Sequence, residues 1–416
     1  MKTTGHILII NYDFPPNAGI GGRRWAKFAK QLAALGYEVH VIKADAIVNN
    51  VASVWEDDVK HDRIHVHSLR RYYPLAFSHP KTDIISRIVY RFYKWKLERQ
   101  EAGTIYDISI GWKKPLQEKI RELLALYSIT NVMATGAPWK MLADVAEMKH
   151  EFPSINLIID YRDPWLNAVN YGMAGLSAAR RKEEERKQRL ILENASVITT
   201  PYEYLSEELK GWAQVHCKIQ NQFEVLTHFY DPDDLQYDDV NFQNGQITFI
   251  YGGDLYQGID NELQLLRRQL EELKQKNCAL YSKLRIKFFT NKTETKTFAG
   301  VDCVEIHPFI GKAIFKEAAQ ASAILIILPK NKCNDRTTKF FENLPLRKPF
   351  VVLSQPGVVS KFVVEHQLGF ELNEKSASLQ KIVEQLDSGK FNLNRQFDYE
   401  QYSLSNVTKQ LIGYFK

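Results

Sequence analysis

Cysteine is scarce. The 416 residues hold four, Cys217, Cys278, Cys303 and Cys333, far apart, with no CxxC pair and no histidine at metal-ligand spacing. A disulfide framework and a structural zinc site are therefore not expected. Long apolar runs are missing as well: the longest, residues 7–10 and 324–328, have strand length, whereas a membrane-spanning helix needs about 20 apolar residues. No low-complexity tract absorbs chain length. The chain enters an apolar strand within a few residues, without a basic-then-apolar leader, so the expected location is cytoplasmic. No dense Lys/Arg patch is interleaved with base-stacking aromatics, which argues against a nucleic-acid partner.

What is present is globular: 44% hydrophobic and 25% charged residues. A chain of this length exceeds one ordinary core, so two domains are expected. The net charge of +6 and pI near 8.8 suit phosphate-bearing ligands or an anionic membrane surface.

Hydrophobic periodicity alternates between strand and helix along most of the chain. An apolar strand over 6–12 leads through a Gly/Pro-rich loop, 13–22, into a helix over 23–35, with apolar residues at Trp25, Phe28, Ala29, Leu32 and Leu35. Gly36 closes that helix and a strand follows over 38–43, which makes a βαβ unit. Helices over 87–100, 116–127 and 178–194 alternate with strands over 131–135, 156–161 and 196–200. A polar, Asp-rich stretch then separates a second series. Its strands are expected over 247–251, 284–290, 304–306, 324–328 and 349–353, and its helices over 261–276, 314–321 and 338–344. This pattern predicts two doubly wound parallel sheets. Their ligands belong at the carboxyl ends of the strands.

Four loops carry chemistry at such ends. In Asn17-Ala-Gly-Ile-Gly-Gly-Arg23 the glycines allow close backbone approach to an anion at a helix N-terminus; the alternative is a tight turn only. The spacing is not the GxGxxG dinucleotide fingerprint, which disfavours an NAD-dependent dehydrogenase. Asp160-Tyr-Arg-Asp-Pro-Trp165 puts two carboxylates and a guanidinium where an apolar strand stops. Arg162 is suited to a phosphate or carboxylate and Asp163 to a proton or a sugar hydroxyl, while an Asp160–Arg162 structural pair is the plainer alternative. In Asp335-Arg-Thr-Thr-Lys-Phe-Phe-Glu342, Lys339 and Glu342 are three apart on one helical face, a cation for a diphosphate and a carboxylate for ribose hydroxyls, or else a surface ion pair. Gln355-Pro-Gly-Val358 offers a further close backbone approach, or a turn.

A last stretch, 87–99, mixes Arg87, Arg91, Lys94, Lys96 and Arg99 with Tyr90, Phe92, Tyr93 and Trp95. It reads either as a helix that docks on anionic lipid at the inner face of a membrane or as buried aromatics under a solvated basic face.

Taken in order, these features resemble bacterial glycosyltransferase family 4 proteins of the GT-B fold. The likeness rests on Phe14-Pro15-Pro16, Gly21-Gly22 before a helix, Gly36-Tyr-Glu-Val-His-Val41, the exit at 160–165, Tyr251-Gly252-Gly253, and Lys339-Phe-Phe-Glu342 followed by Lys348-Pro349. It implies two Rossmann-like domains facing a central cleft: an acceptor-binding domain over 1–225 completed by a helix over 400–416, a linker over 226–245, and a nucleotide-sugar-binding domain over 246–399. It implies a retaining, metal-independent hexosyl transfer to a glycan or lipid-linked acceptor in surface polysaccharide or glycoconjugate synthesis. Beyond the nucleotide-sugar cosubstrate it calls for no cofactor. Donor contacts fall on Gly21, Gly22, Gly252, Gly253, Arg336, Thr338, Lys339 and Glu342. Acceptor contacts fall on Asp160, Arg162, Asp163 and Trp165, and the catalytic roles on Arg162, Asp163 and Lys339.

Two positions depart from the family pattern. Its first glutamate, eight positions before the second, falls on the uncharged Asn334. Its basic residue after the first strand of the second domain is missing from the neutral run Leu255-Tyr-Gln-Gly-Ile259. A catalytically silent relative that binds a glycan or a protein partner, and a nucleotide-sugar epimerase, are the alternatives.

Overall fold

Contiguous runs of buried aliphatic residues become the centres of two parallel sheets, because a parallel strand with helices on both faces is shielded from water on both sides. A computed structural model describes residues 4–17, 20–46, 53–77, 81–168, 172–218, 222–235, 245–255, 258–291 and 296–416. The chain divides into two units, Met1–Thr227 with Thr408–Lys416, and His228–Val407. Residues 236–244 of the expected 226–245 linker lie outside the described residues.

The first unit holds β1 (Gly5–Ile10), β2 (Tyr37–Ala44), β3 (Ile64–Leu69), β4 (Ile129–Gly136), β5 (Asn156–Tyr161), β6 (Val197–Thr200) and β7 (Gln222–Val225). They pair in the order β3-β2-β1-β4-β5-β6-β7, parallel throughout. The order reverses between β1 and β4, so their crossovers run to opposite sides and leave a crevice at the carboxyl ends. The helix Arg23–Ala34 follows β1 and buries Trp25, Phe28, Ala29 and Leu32, one stripe at helical spacing. It ends where Gly36 takes a positive φ of 95°, a conformation that costs a side chain but not glycine.

The second unit repeats the plan with β8 (Ile247–Gly252), β9 (Leu284–Thr290), β10 (Val304–Pro308), β11 (Ala323–Ile327), β12 (Phe350–Leu353) and β13 (Gly369–Leu372). The order is β10-β9-β8-β11-β12-β13, again parallel, with its reversal between β8 and β11. The helix Asp260–Lys276 packs Leu263, Leu266, Leu270 and Leu273 into the core on one side. Phe340, Phe341, Val359 and Val363 fill the other side.

The return of the chain differs from the expected helix over 400–416. Glu400–Tyr402 is a short 3-10 turn and the helix is Leu404–Ile412. Tyr399 and Tyr402 are buried with Tyr230 in the second unit, where Leu404 N donates to Tyr230 O at 2.8 Å. Only from Thr408 does the chain rejoin the first unit.

Candidate functional site

In the first unit, polar side chains collect where β1, β3 and β5 end. Arg162 lies just past β5. Its Nη1 donates to Gly21 O at 2.9 Å and its Nε to Asp163 Oδ2 at 3.0 Å, so the guanidinium links the β5 exit to the loop after β1. A Cβ on Gly21 would stand 2.7 Å from that Nη1, and one on Gly22 2.4 Å from Asp13 O. Gly21 thus allows the close approach of Arg162 from the β5 exit, and Gly22 the close packing of the loop on itself. Ala18 and Gly19 of the same loop lie outside the described residues.

Asp13, just past β1, lies close to Arg71 Nη2, 3.8 Å from its Oδ1. Burial raises the Asp13 carboxyl above its ordinary value, and Arg71 and then Arg162 pull it back down. Asp13, Arg71, Arg162 and Asp163 thus form one mixed-charge patch, able to bind several hydroxyls or an anionic group. The sequence pointed to the last two only. A carboxylate directly after the first strand was the available signal for Asp13.

Two expected acceptor contacts are corrected. Asp160 is 0% exposed and its oxygens are occupied. Oδ2 accepts from Trp25 Nε1 at 2.9 Å, Thr135 Oγ1 at 3.0 Å and Arg24 Nε at 3.3 Å, and Oδ1 accepts from Thr199 Oγ1 at 3.0 Å. The register explains the knot: Thr135 on β4 and Thr199 on β6 stand directly opposite Asp160. A buried carboxylate is tolerable only with such partners, and the cation is Arg24 where the sequence suggested Arg162.

Trp165 is 1% exposed. It stacks on Trp139 with centroids 5.5 Å apart, and its Nε1 donates to Glu184 Oε2 at 3.2 Å. It belongs to the packing of the unit, beside a cavity of about 240 Å³ that Leu205, Leu209 and Trp212 line from the helix Glu203–His216.

In the second unit the crevice between β8 and β11 is bordered by the β8 exit and by the helix Thr338–Asn343, which follows β11. Lys339 from that helix reaches across to the loop. Its Nζ donates to Tyr251 Oη at 3.0 Å and lies 3.4 Å from Asp254 O, and it stands 4.6 Å from the Tyr251 ring centroid. Tyr251 Oη in turn donates to Asp254 O at 2.6 Å, and Asn291 Nδ2 holds Asp254 Oδ1 at 2.8 Å. The lysine is thereby fixed in place and not left as a waving surface cation.

Gly253 makes room for this arrangement. It has φ 117°, and a Cβ there would lie 2.4 Å from Lys339 Cε. Gly252 packs on Ile314, whose Cγ1 would be 2.7 Å from a Cβ. Burial pushes the Lys339 ammonium down to about 8, while Asp254 and Glu342 pull it back up. A desolvated cation with weak compensation is what an anionic ligand would restore.

Glu342, one turn on, is half-buried near Lys339. Thr338 opens the helix and is half-buried. Arg336 stacks over Phe362 at 4.6 Å. So Gly252, Gly253, Thr338, Lys339 and Glu342 fall at one crevice. Tyr251 and Asp254 were missed, although a tyrosine before two glycines at a strand end was visible. Asn334 is exposed and Leu255 buried, while Tyr256 and Gln257 lie outside the described residues.

No protein-family model matches the chain, and no curated protein sequence matches it. Solved structures do. The N-terminal domain of Candida albicans trehalose-6-phosphate phosphatase superposes with a TM-score of 0.65 at 12% identity, over 99% of this chain and 97% of that one. Sucrose-phosphate synthase from Thermosynechococcus elongatus gives 0.60 at 12% identity, over 98% and 97%. A trehalose-6-phosphate structure from E. coli, bound with UDP-2-fluoro glucose, gives 0.57 at 9% identity, over 98% and 96%. The fold shared along the full length is GT-B, two Rossmann-like parallel-sheet domains in tandem.

Proposed function

We propose that this GT-B chain is a glycosyltransferase whose C-terminal unit holds a nucleotide-sugar donor and whose N-terminal unit holds the acceptor. The observation that carries the reading is Lys339, desolvated and clamped over Gly253 at the strand-order reversal of the second sheet. A diphosphate is the ligand that this cation suits, with Glu342 one turn away for ribose hydroxyls. The E. coli structure with UDP-2-fluoro glucose bound is a relative in fold that carries such a donor, which supports the class of ligand.

In the transfer, the bond between the anomeric carbon and the donor phosphate breaks, one to an acceptor hydroxyl oxygen forms, and the proton of that hydroxyl passes to the departing phosphate. Negative charge grows on the departing phosphate, and Lys339, already oriented, stabilises it without reorganisation. Arg162 and Asp163 offer a cation and a carboxylate to the hydroxyls of the sugar or acceptor. In the finer reading the enzyme is family 4-like and bacterial, retaining and independent of metal. It works at the inner face of the membrane on a glycan or lipid-linked acceptor.

Titration calorimetry with a set of nucleotide sugars tests this. Wild type is expected to bind at least one of them, and Lys339→Ala and Glu342→Ala to bind it about tenfold or more weakly, the scale of a lost hydrogen bond to a charged group. Undiminished binding in both variants sinks the donor site. Absence of binding to every donor favours the silent relative, a reading that the uncharged Asn334 motivates.

A further inference from the structure

The helix Ile84–Gln100 buries one residue, Leu97. Ser86, Tyr90 and Tyr93 are half-buried with it, and the spacing 86, 90, 93, 97 makes these four the inward face. The residues 84, 88, 92 and 95 recur at the same spacing on the opposite face. There Ile84 is 74% exposed, Ile88 59%, Phe92 56% and Trp95 50%, and Ile85 and Val89 widen the stripe. Leu75, in the short turn Leu75–Phe77, is exposed as well.

Single exposed apolar residues are ordinary, but six on one side of a 17-residue helix are not. One flank is basic, with Arg87, Arg91 and Lys94, while Lys96 and Arg99 fall on the side of the stripe toward its end; the helix carries one acid, Glu98. Arg99 lies over the Trp95 ring of the stripe at 4.3 Å, and Lys81 over Tyr90 of the inward face at 3.3 Å. Asp83 caps the first turn, where its side chain accepts from Ser86 N. The turn is therefore formed without a partner.

We propose that this helix is a membrane anchor that lies in the plane of an anionic bilayer, with Ile84, Ile88, Phe92 and Trp95 inserted at the headgroup boundary and the arginines and lysines on lipid phosphates. An apolar stripe bordered by cations fits that interface, since the acyl boundary takes the stripe and the anionic surface takes the charge. Among the described residues no helix is long and apolar enough to cross a membrane, so attachment is to one leaflet. The inference stands independently of the transferase reading, because its test uses neither donor nor acceptor.

The experiment is flotation of the full chain with vesicles of phosphatidylcholine alone and with roughly a third phosphatidylglycerol. Tenfold or stronger partitioning into the anionic vesicles is expected, declining with salt, together with a blue shift of fluorescence that Trp95→Phe diminishes. Ile84→Asn combined with Ile88→Asn and Phe92→Asn should lower partitioning at least tenfold at unchanged Tm, since all three side chains are more than half exposed. Arg87→Gln with Arg91→Gln and Lys94→Gln should remove the preference for anionic lipid. Failure to float with anionic vesicles, or flotation unaffected by the apolar substitutions, overturns the proposal. So does a stable dimer that Ile88→Asn splits, which would identify a second copy as the occupant of the stripe.

Discussion

A single lysine sets the expected pH response of the donor site. Burial holds the Lys339 ammonium at about 8, and a bound diphosphate would raise it, because an opposite charge favours the protonated form. Binding and protonation are then linked: affinity is full below pH 8 and falls as pH rises through the free protein's value, by up to about tenfold per pH unit. Calorimetry between pH 7 and 9.5, in buffers of different ionisation enthalpy, should show this decline and proton uptake near pH 8. Lys339→Arg keeps its charge throughout this range, so its profile should be flat; a wild-type profile equally flat would remove the lysine from the site. The glycine beneath it gives a second outcome. Gly253→Ala places a Cβ 2.4 Å from Lys339 Cε at a φ of 117°, which strains the backbone and evicts the ammonium from Tyr251 Oη. Donor affinity should drop about as far as in Lys339→Ala. Retention of wild-type affinity would mean that the clamp is not what positions the cation.

Elements decide whether a polar residue serves the ligand or the fold, and Asp160 shows how. Thr199→Val keeps the shape of β6 but removes the hydroxyl that donates to Asp160 Oδ1. A buried carboxylate losing one charged hydrogen bond should cost about 1.5–3 kcal/mol of stability, read as a lower denaturant midpoint, with acceptor KM unchanged in the folded protein. A raised KM without loss of stability would return Asp160 to the acceptor site. The strand β5 itself was legible to the residue, because Asn156–Tyr161 is an unbroken buried run. The role of Asp160 was not, since Thr135 and Thr199 are 25 and 39 residues away and only the register brings them opposite it. Trp165 misled for the same reason: its neighbours Trp139 and Glu184 come from two separate helices. The edge strand β3, with its alternating His65, Val66 and His67, and the four-residue β13 carry too little apolar signal to be predicted, and neither was. The βα loops were legible where glycine marks them. The pairing of Lys339 with Tyr251, across 88 residues, required the fold.

At the scale of the whole chain, nine residues return to the first unit after the second is complete, and they do so at the amino ends of central strands. Asn156 Nδ2 donates to Tyr414 O at 2.7 Å, Asn131 Nδ2 to Lys416 O at 3.1 Å, and Lys416 N to Asn131 Oδ1 at 3.0 Å. Leu411 is buried and Phe415 meets Tyr37 edge-on, with centroids 5.8 Å apart. Removal of residues 411–416 opens a cavity where Leu411 sat and takes from Asn131 and Asn156 their bonds to the tail, leaving them Asn156 Nδ2 on Asn131 Oδ1 at 2.8 Å and Asn131 Nδ2 on Thr130 Oγ1 at 3.1 Å. Loss of the leucine alone is worth about 2–5 kcal/mol, and each lost hydrogen bond to the tail adds about 0.5–1.5 kcal/mol. The loss belongs to one unit, because every contact named lies within it. Hydrogen exchange read by mass spectrometry should therefore show amides of β4 and β5 losing protection in the truncated chain while those of β8, β11 and β12 keep theirs, and donor affinity in the second unit should be retained. Protection lost equally from both sheets would mean that the two units unfold as one, and that the tail stabilises the chain as a whole and not the sheet it touches.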